Sequence, residues 1–249
     1  RVIALLDQVF PEYEQLFSDI FGTTSSLLLR EYTTPDEIAA VPTDKLSDFI
    51  RTASRGRLGP TKAQKIKELA SDSFGVLTIS STLGLLIRQM LEQIESLEEQ
   101  IGQMDVLIAE HLSAIDTCLT TIPGVGAILA AVILSEIGDI TRFDSAVKLA
   151  AFAGVDPTVH RSGEFTGNRA RMSKRGSPYL RRALWLASFA AIGGTKPDPA
   201  LRAFYEAKRA QGKPHSVVMG HMCRKMVSII FAVLRDNKPY IPALPSQPA

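Results

Sequence analysis

The hydrophobic positions change rhythm twice along the chain. Leu83, Ile87, Met90, Ile94, Leu97, Ile101, Met104 and Ile108 recur at alternating steps of four and three. That is an a/d seam sustained over more than three heptads, with Glu and Gln between its members, and it predicts one helix over 81–116. At 1.5 Å per residue such a helix is roughly 40–50 Å long. Its seam needs a partner, either another helix of the chain or a second copy, and its regularity favours an antiparallel or dimeric coiled coil. Before it, residues 1–80 carry short apolar patches broken by turns and read as a helical linker. There Thr34-Pro35-Asp36-Glu37 is a helix start: a Thr cap, Pro at the first position and Glu three residues after the cap. After it, residues 117–240 read as a compact, mostly helical domain, with helices over 125–137, 145–153, 178–192, 199–211 and 216–236. The Pro-rich, uncharged 241–249 is expected to be a disordered tail.

The fold class expected is therefore mainly α. It comprises a helical N-terminal segment, a long heptad helix and a compact helical C-terminal domain with a helix-hairpin-helix-like turn and a basic Gly/Ser loop. With 249 residues, 45% of them hydrophobic, the chain can build one large core or two smaller ones. Two cysteines, Cys118 and Cys223, lie far apart without metal-ligand spacing, which argues against a disulfide scaffold or a structural zinc site. No signal peptide is apparent. The apolar run from Val217 to Leu234 contains His221, Arg224 and Lys225, which argues against a membrane span. A reducing cytoplasm fits these features best. The chain starts at Arg1 within an apolar helical pattern, from which an upstream segment is expected.

The net charge of +2 says little, so any nucleic-acid argument rests on where the basic residues sit. Two stretches concentrate them. Arg51–Lys67 holds six basic residues and no acidic one, with Gly56 and Gly59 between them. A solvated helix face and a nucleic-acid contact are both open there. Arg161–Arg182 holds seven basic residues against the single acid Glu164, a local electrostatic footprint that the total conceals. Lys208, Arg209, Lys213, Arg224 and Lys225 extend it.

Two motifs carry candidate chemistry. Ile122-Pro123-Gly124-Val125-Gly126 precedes an apolar helix, as in the turn of a helix-hairpin-helix. Backbone N–H groups at Gly124 and Gly126 would suit a phosphate, although a plain helix–helix turn uses glycine in the same way. In the basic loop, Ser177 before Pro178 reads as an N-cap, and Ser173 between Arg171 and Lys174 as a phosphate contact or a turn cap. Ser162 is followed by no helix and is flanked by Gly163, Gly167, Arg161, Arg169 and Arg171. A serine hydroxyl attacks a phosphodiester only when activated, and surrounding arginines could stabilise the transferring phosphoryl group. On residue chemistry alone a polar turn serine remains the plainer reading, and His160 stays unassigned.

The order IPGVG, SEIGDITRF, LAAFAGVDP, RSG, RMSKRG, LRRAL resembles the C-terminal domain of the DEDD insertion-sequence transposases. These are bridge-RNA-guided recombinases with Piv-type DNA invertases as relatives. The likeness runs from Thr121 to about Tyr240; the heptad helix and FPEYEQLF fit the family's middle region more loosely. The resemblance implies a serine nucleophile at Ser162, in the Ser-Gly pair after the AGxxP motif, which would attack DNA and form a covalent link. With it, the basic footprint read above makes Arg161, Gly163, Arg169, Arg171, Ser173, Lys174, Arg175, Arg181 and Arg182 the expected nucleic-acid contacts. It further implies a guide (bridge) RNA as a partner beside DNA, homo-oligomers through the coiled coil, and no membrane. The family's magnesium is held by an N-terminal RNase H-like domain. Asp7, Glu12 and Glu14 are not assigned to that site, so no cofactor is expected within this chain, which is expected to be inactive alone. Two other readings stand beside it: a non-catalytic helix-hairpin-helix binding module, and an adaptor in which the heptad helix is the working part.

Overall fold

The computed structural model describes residues 1–158, 161–162, 165–166, 171–194 and 196–242, and at 77, 161–162 and 165–166 the backbone alone. The described residues are mainly α-helical, as the hydrophobic periods require. They form two compact units, Arg1–Gly102 and Gln103–Ala249.

The first unit packs α1 (Val2–Val9), α2 (Thr23–Glu31), α3 (Pro35–Ala40), α4 (Thr43–Ala53) and α5 (Pro60–Ser71) around Leu6, Phe10, Tyr13, Leu28, Leu29, Ile38, Leu46, Ile50 and Ile66, none more than 2% exposed. The start of α3 follows from its residues. Thr34 Oγ1 accepts the Glu37 N–H at 3.3 Å, and the Glu37 carboxylate accepts the Thr34 N–H at 3.2 Å, a reciprocal cap on two otherwise orphaned donors. In α5 the apolar positions Ala63, Ile66 and Ala70 recur at helical spacing and are buried.

The long helix α6 (Ser80–Ser113, 34 residues) crosses the division between the units. Its seam is split. In the first unit Ile87 and Leu91 are buried, with Leu83, Met90 and Ile94 packed against the same core. Further along, Leu97, Ile101 and Met104 are 57%, 60% and 58% exposed, so among the described residues the seam is covered in its first half and open at these three positions.

In the second unit α7 (Ala127–Ile137), α8 (Ala146–Phe152), α9 (Pro178–Gly193) and α10 (Pro199–Ala210) pack with α11 (His215–Asp236). By length and composition α11 could cross a membrane; nine of its side chains, among them Val218, Met222, Met226 and Ile230, lie buried in this unit's core. Burial also pushes the Cys223 thiol up to about 11. The helix expected from Val125 begins at Ala127, because Gly124 has φ +84° and Gly126 is extended. What precedes that turn is a single 3-10 turn, Leu119–Thr121. Of the expected tail, residues 243–249 lie outside the described residues.

Candidate nucleic-acid interface

The basic stretch grows out of a hairpin with a hydrogen-bonded stem. Pro157 pairs antiparallel with Met172. The Thr158 N–H donates to the Arg171 carbonyl at 2.7 Å, and the Ser173 N–H donates to the Asp156 carbonyl at 2.9 Å. The Thr158 hydroxyl adds a bond to the Arg171 carbonyl at 3.0 Å and accepts the Arg171 N–H at 3.3 Å. At the root, the Ser177 N–H donates to the Phe152 carbonyl at 2.9 Å. Gly176 allows this closeness: a Cβ there would stand 1.8 Å from the Phe152 carbonyl oxygen. Beyond the stem, β1 (Arg161–Ser162) pairs antiparallel with β2 (Phe165–Thr166), with Ser162 opposite Phe165. This pairing is offset by two residues from the stem's register.

The structure assigns the three serines different surroundings. Ser162 lies on β1, where the backbone is described. The Ser173 hydroxyl donates to the Asp156 carboxylate and ties the two arms of the stem. Ser177 caps α9 by accepting the Leu180 N–H at 3.0 Å, while its own hydroxyl donates to Glu136 at 2.6 Å. Gly163, Arg169 and His160 lie outside the described residues, as does the side chain of Arg161.

The remaining basic residues divide as well. Arg181 is half-buried under the stem, donating to the Ala153 carbonyl at 3.3 Å and the Gly176 carbonyl at 3.4 Å. Arg171, Lys174, Arg175 and Arg182 are exposed. Lys174 holds a left-handed backbone, φ +54°, a conformation that is costly outside glycine and occurs where surrounding structure imposes it.

The two glycines of the turn before α7 also part company. A Cβ on Gly124 would stand 2.3 Å from the Ala187 carbonyl oxygen and 2.8 Å from the Ala191 nitrogen of α9, so close helix packing accounts for this glycine. Gly126 is exposed, with open space where a Cβ would stand, at the start of α7, which has no side-chain cap.

One face of α11 completes the site, and sequence reasoning did not assemble it. Val217, His221, Arg224 and Ser228 follow one another at helical spacing. A cleft of about 530 Å³ is lined by Asp156, Pro157, Phe204, His221, Arg224, Lys225 and Ser228 among others. A narrower one of about 280 Å³ is lined by Val155, Pro157, Arg171, Met172, Gly220, His221 and Arg224 among others. Burial first, then Lys213, Lys208 and Arg224, push the His221 imidazole below its ordinary value. The available signal was a polar stripe inside an apolar run: Arg224 and Lys225 already extended the basic footprint, but His221 counted only against a membrane span. Among the described residues no three of His, Cys, Asp and Glu cluster so as to hold a metal ion. These described residues do not fit a magnesium site.

Residues 116–206, which contain the whole hairpin, match the transposase family described as IS116/IS110/IS902. The chain is 30% identical to the insertion element IS110 uncharacterized 43.6 kDa protein of Streptomyces coelicolor, in an alignment covering 99% of this chain and 60% of that protein. It is 29% identical to the insertion element IS900 uncharacterized 42 kDa protein of Mycobacterium paratuberculosis, over 92% of this chain and 57% of the relative. It is 30% identical to the pilin gene-inverting protein of Moraxella bovis, over 72% of this chain and 55% of the relative. The chain thus spans about three fifths or less of each relative's length.

Proposed function

Because the chain belongs to the IS110/IS116/IS902 transposase family, we propose that it is the serine-bearing, DNA-handling part of a transposase or recombinase. The Ser162 hydroxyl oxygen attacks a DNA phosphorus, a serine–phosphate bond forms, the P–O bond to the sugar breaks, and the departing oxygen leaves as a hydroxyl carrying the proton. Arg161, Arg169, Arg171, Lys174 and Arg175 contact phosphates, joined by Arg182, and Gly126 offers a backbone N–H at the start of α7. Magnesium belongs to carboxylates outside these residues, so the chain recombines no DNA unaided. The uncovered half-seam of Leu97, Ile101 and Met104 joins protomers, and a guide RNA is a further partner.

The observation that carries this reading is the family match over 116–206, which takes in both arms of the hairpin. A stem hydrogen-bonded on both sides supports it, because positioning an attacking group requires a supported backbone. The test is covalent trapping on a nicked DNA duplex with magnesium, with the chain alone and with the chain joined to the acidic domain that the family resemblance implies, wild type against Ser162→Ala. An adduct lost with the substitution is expected in the joined protein. An adduct surviving it would move the nucleophile elsewhere. Salt-sensitive binding without any adduct would leave a binding module.

A further inference from the structure

We propose that the narrower cleft, walled by Arg171, His221 and Arg224, is a subsite for one backbone phosphodiester, and that His221 takes up a proton when the phosphate enters. This rests on the reading of the second unit as a nucleic-acid-handling part and deepens it to named atoms.

Three observations carry it. First, the cleft is lined by two arginines and a histidine from two elements, the stem and α11. Neither arginine has a carboxylate partner among the described residues. Second, among the described residues no carboxylate lines this cleft, whereas Asp156 lines the wider one across His221. An anion therefore favours the narrower side. Third, Arg171 cannot drift far, because its backbone is held to Thr158 by three hydrogen bonds. A planar donor fork on a fixed backbone suits a phosphate oxygen pair.

The proton uptake follows from the charges around His221. Arg224 and Lys225 lie on its own helix, Lys208 on α10, Lys213 in the turn before α11, and Arg171 and Asp156 on the stem. Partial burial and this excess of cations disfavour the imidazolium, so at neutral pH the free chain holds His221 neutral. A phosphodiester reverses the balance, because a fixed negative charge beside the ring stabilises its protonated form. The complex then holds one more proton than the free chain. Affinity must rise as pH falls through the window between the midpoint in the free chain, which lies below the ordinary imidazole value, and the higher midpoint in the complex. Outside that window it is flat in pH.

The test is an NMR titration of the His221 ring in the full chain, alone and with either a mixed-sequence DNA duplex or a single-stranded RNA, alongside affinities measured across the same pH range. With nucleic acid the midpoint should rise by about one unit or more, and affinity should strengthen up to about tenfold over one pH unit inside the window. His221→Gln should abolish the pH slope while matching wild-type affinity on the alkaline side. His221→Lys should bind on the alkaline side as wild type does on the acid side, and His215→Gln should keep the wild-type slope. The polymer giving the larger shift of the His221 midpoint identifies the source of the phosphate. Salt-sensitive binding with an unmoved His221 midpoint would overturn this inference and leave the DNA-handling reading intact. No binding of DNA or RNA at any pH or salt would overturn both.

Discussion

Arg51–Lys67 and Arg161–Arg182 are alike in sequence, each rich in cations and nearly free of acids, and the fold treats them differently. In the first stretch much of the charge is engaged within the unit. Lys62 donates to the Leu16 carbonyl and sits 4.8 Å from the Phe17 ring centroid, Lys67 donates to the Val41 carbonyl at the end of α3, and Arg51 pairs with Asp48 at 2.9 Å. In the second, among the described side chains, Arg181 alone is turned to comparable use, while Arg171, Lys174, Arg175 and Arg182 stay exposed. A count of basic residues therefore measures available charge only after the carbonyls and carboxylates that occupy it are accounted for. Arg55 and Arg57, which are exposed, are the part of the first stretch that most resembles the second.

The sharpest way to break the contrast is to remove the stem that presents the second stretch. Gly176→Ala forces a methyl into the Phe152 carbonyl and should cost about 3 kcal/mol or more. Denaturant unfolding of the chain measures it, and an unchanged midpoint would mean that the stem is not packed as described. Next in size, Arg171→Ala should weaken DNA binding about tenfold (~1.4 kcal/mol) and lower the salt slope by about one contact, with stability unchanged. If Arg55→Ala and Arg57→Ala together weaken binding equally, the two stretches do the same task and the comparison fails. Lys67→Met removes the donor to the Val41 carbonyl and should destabilise by about 1 kcal/mol, allowing for water at a half-exposed site, with DNA affinity untouched. The smallest effect is expected at Lys174→Gly. Relief of the left-handed backbone should offset the lost charge, giving a slightly more stable protein, by about 0.5–1 kcal/mol, that binds a little more weakly. A loss of stability there would show that the lysine side chain supports the turn.

Much of the fold could be read from the chain because its signals are local. The capping box at Thr34, the serine cap before Pro178 and the helical periods each depend on residues within a turn or two of one another. The split of the heptad seam could not be read, because whether Ile87 or Ile101 is covered depends on which distant helices pack there. Nothing in the repeat itself distinguishes its two halves. Gly124 looked like a backbone donor and is required by the approach of α9, some sixty residues later in the chain. The stem was missed because its pairs join residues such as Asp156 and Ser173 without strand-like alternation; the glycines at 154 and 176 were its only local mark. For the same reason His221 looked like an interruption in an apolar run until the stem brought Arg171 beside it.

Arg171 belongs to two structures at once: its backbone is bonded into the stem and the residue lines the cleft. Closure of the stem and occupancy of the cleft are therefore linked equilibria, and the linkage is reciprocal: whatever factor a bound phosphate adds to the closed stem, the closed stem adds to phosphate affinity. A substitution that loosens the hairpin far from any ligand would then register as weakened binding. A filled cleft would register as slower hydrogen exchange at the Thr158 and Ser173 amides.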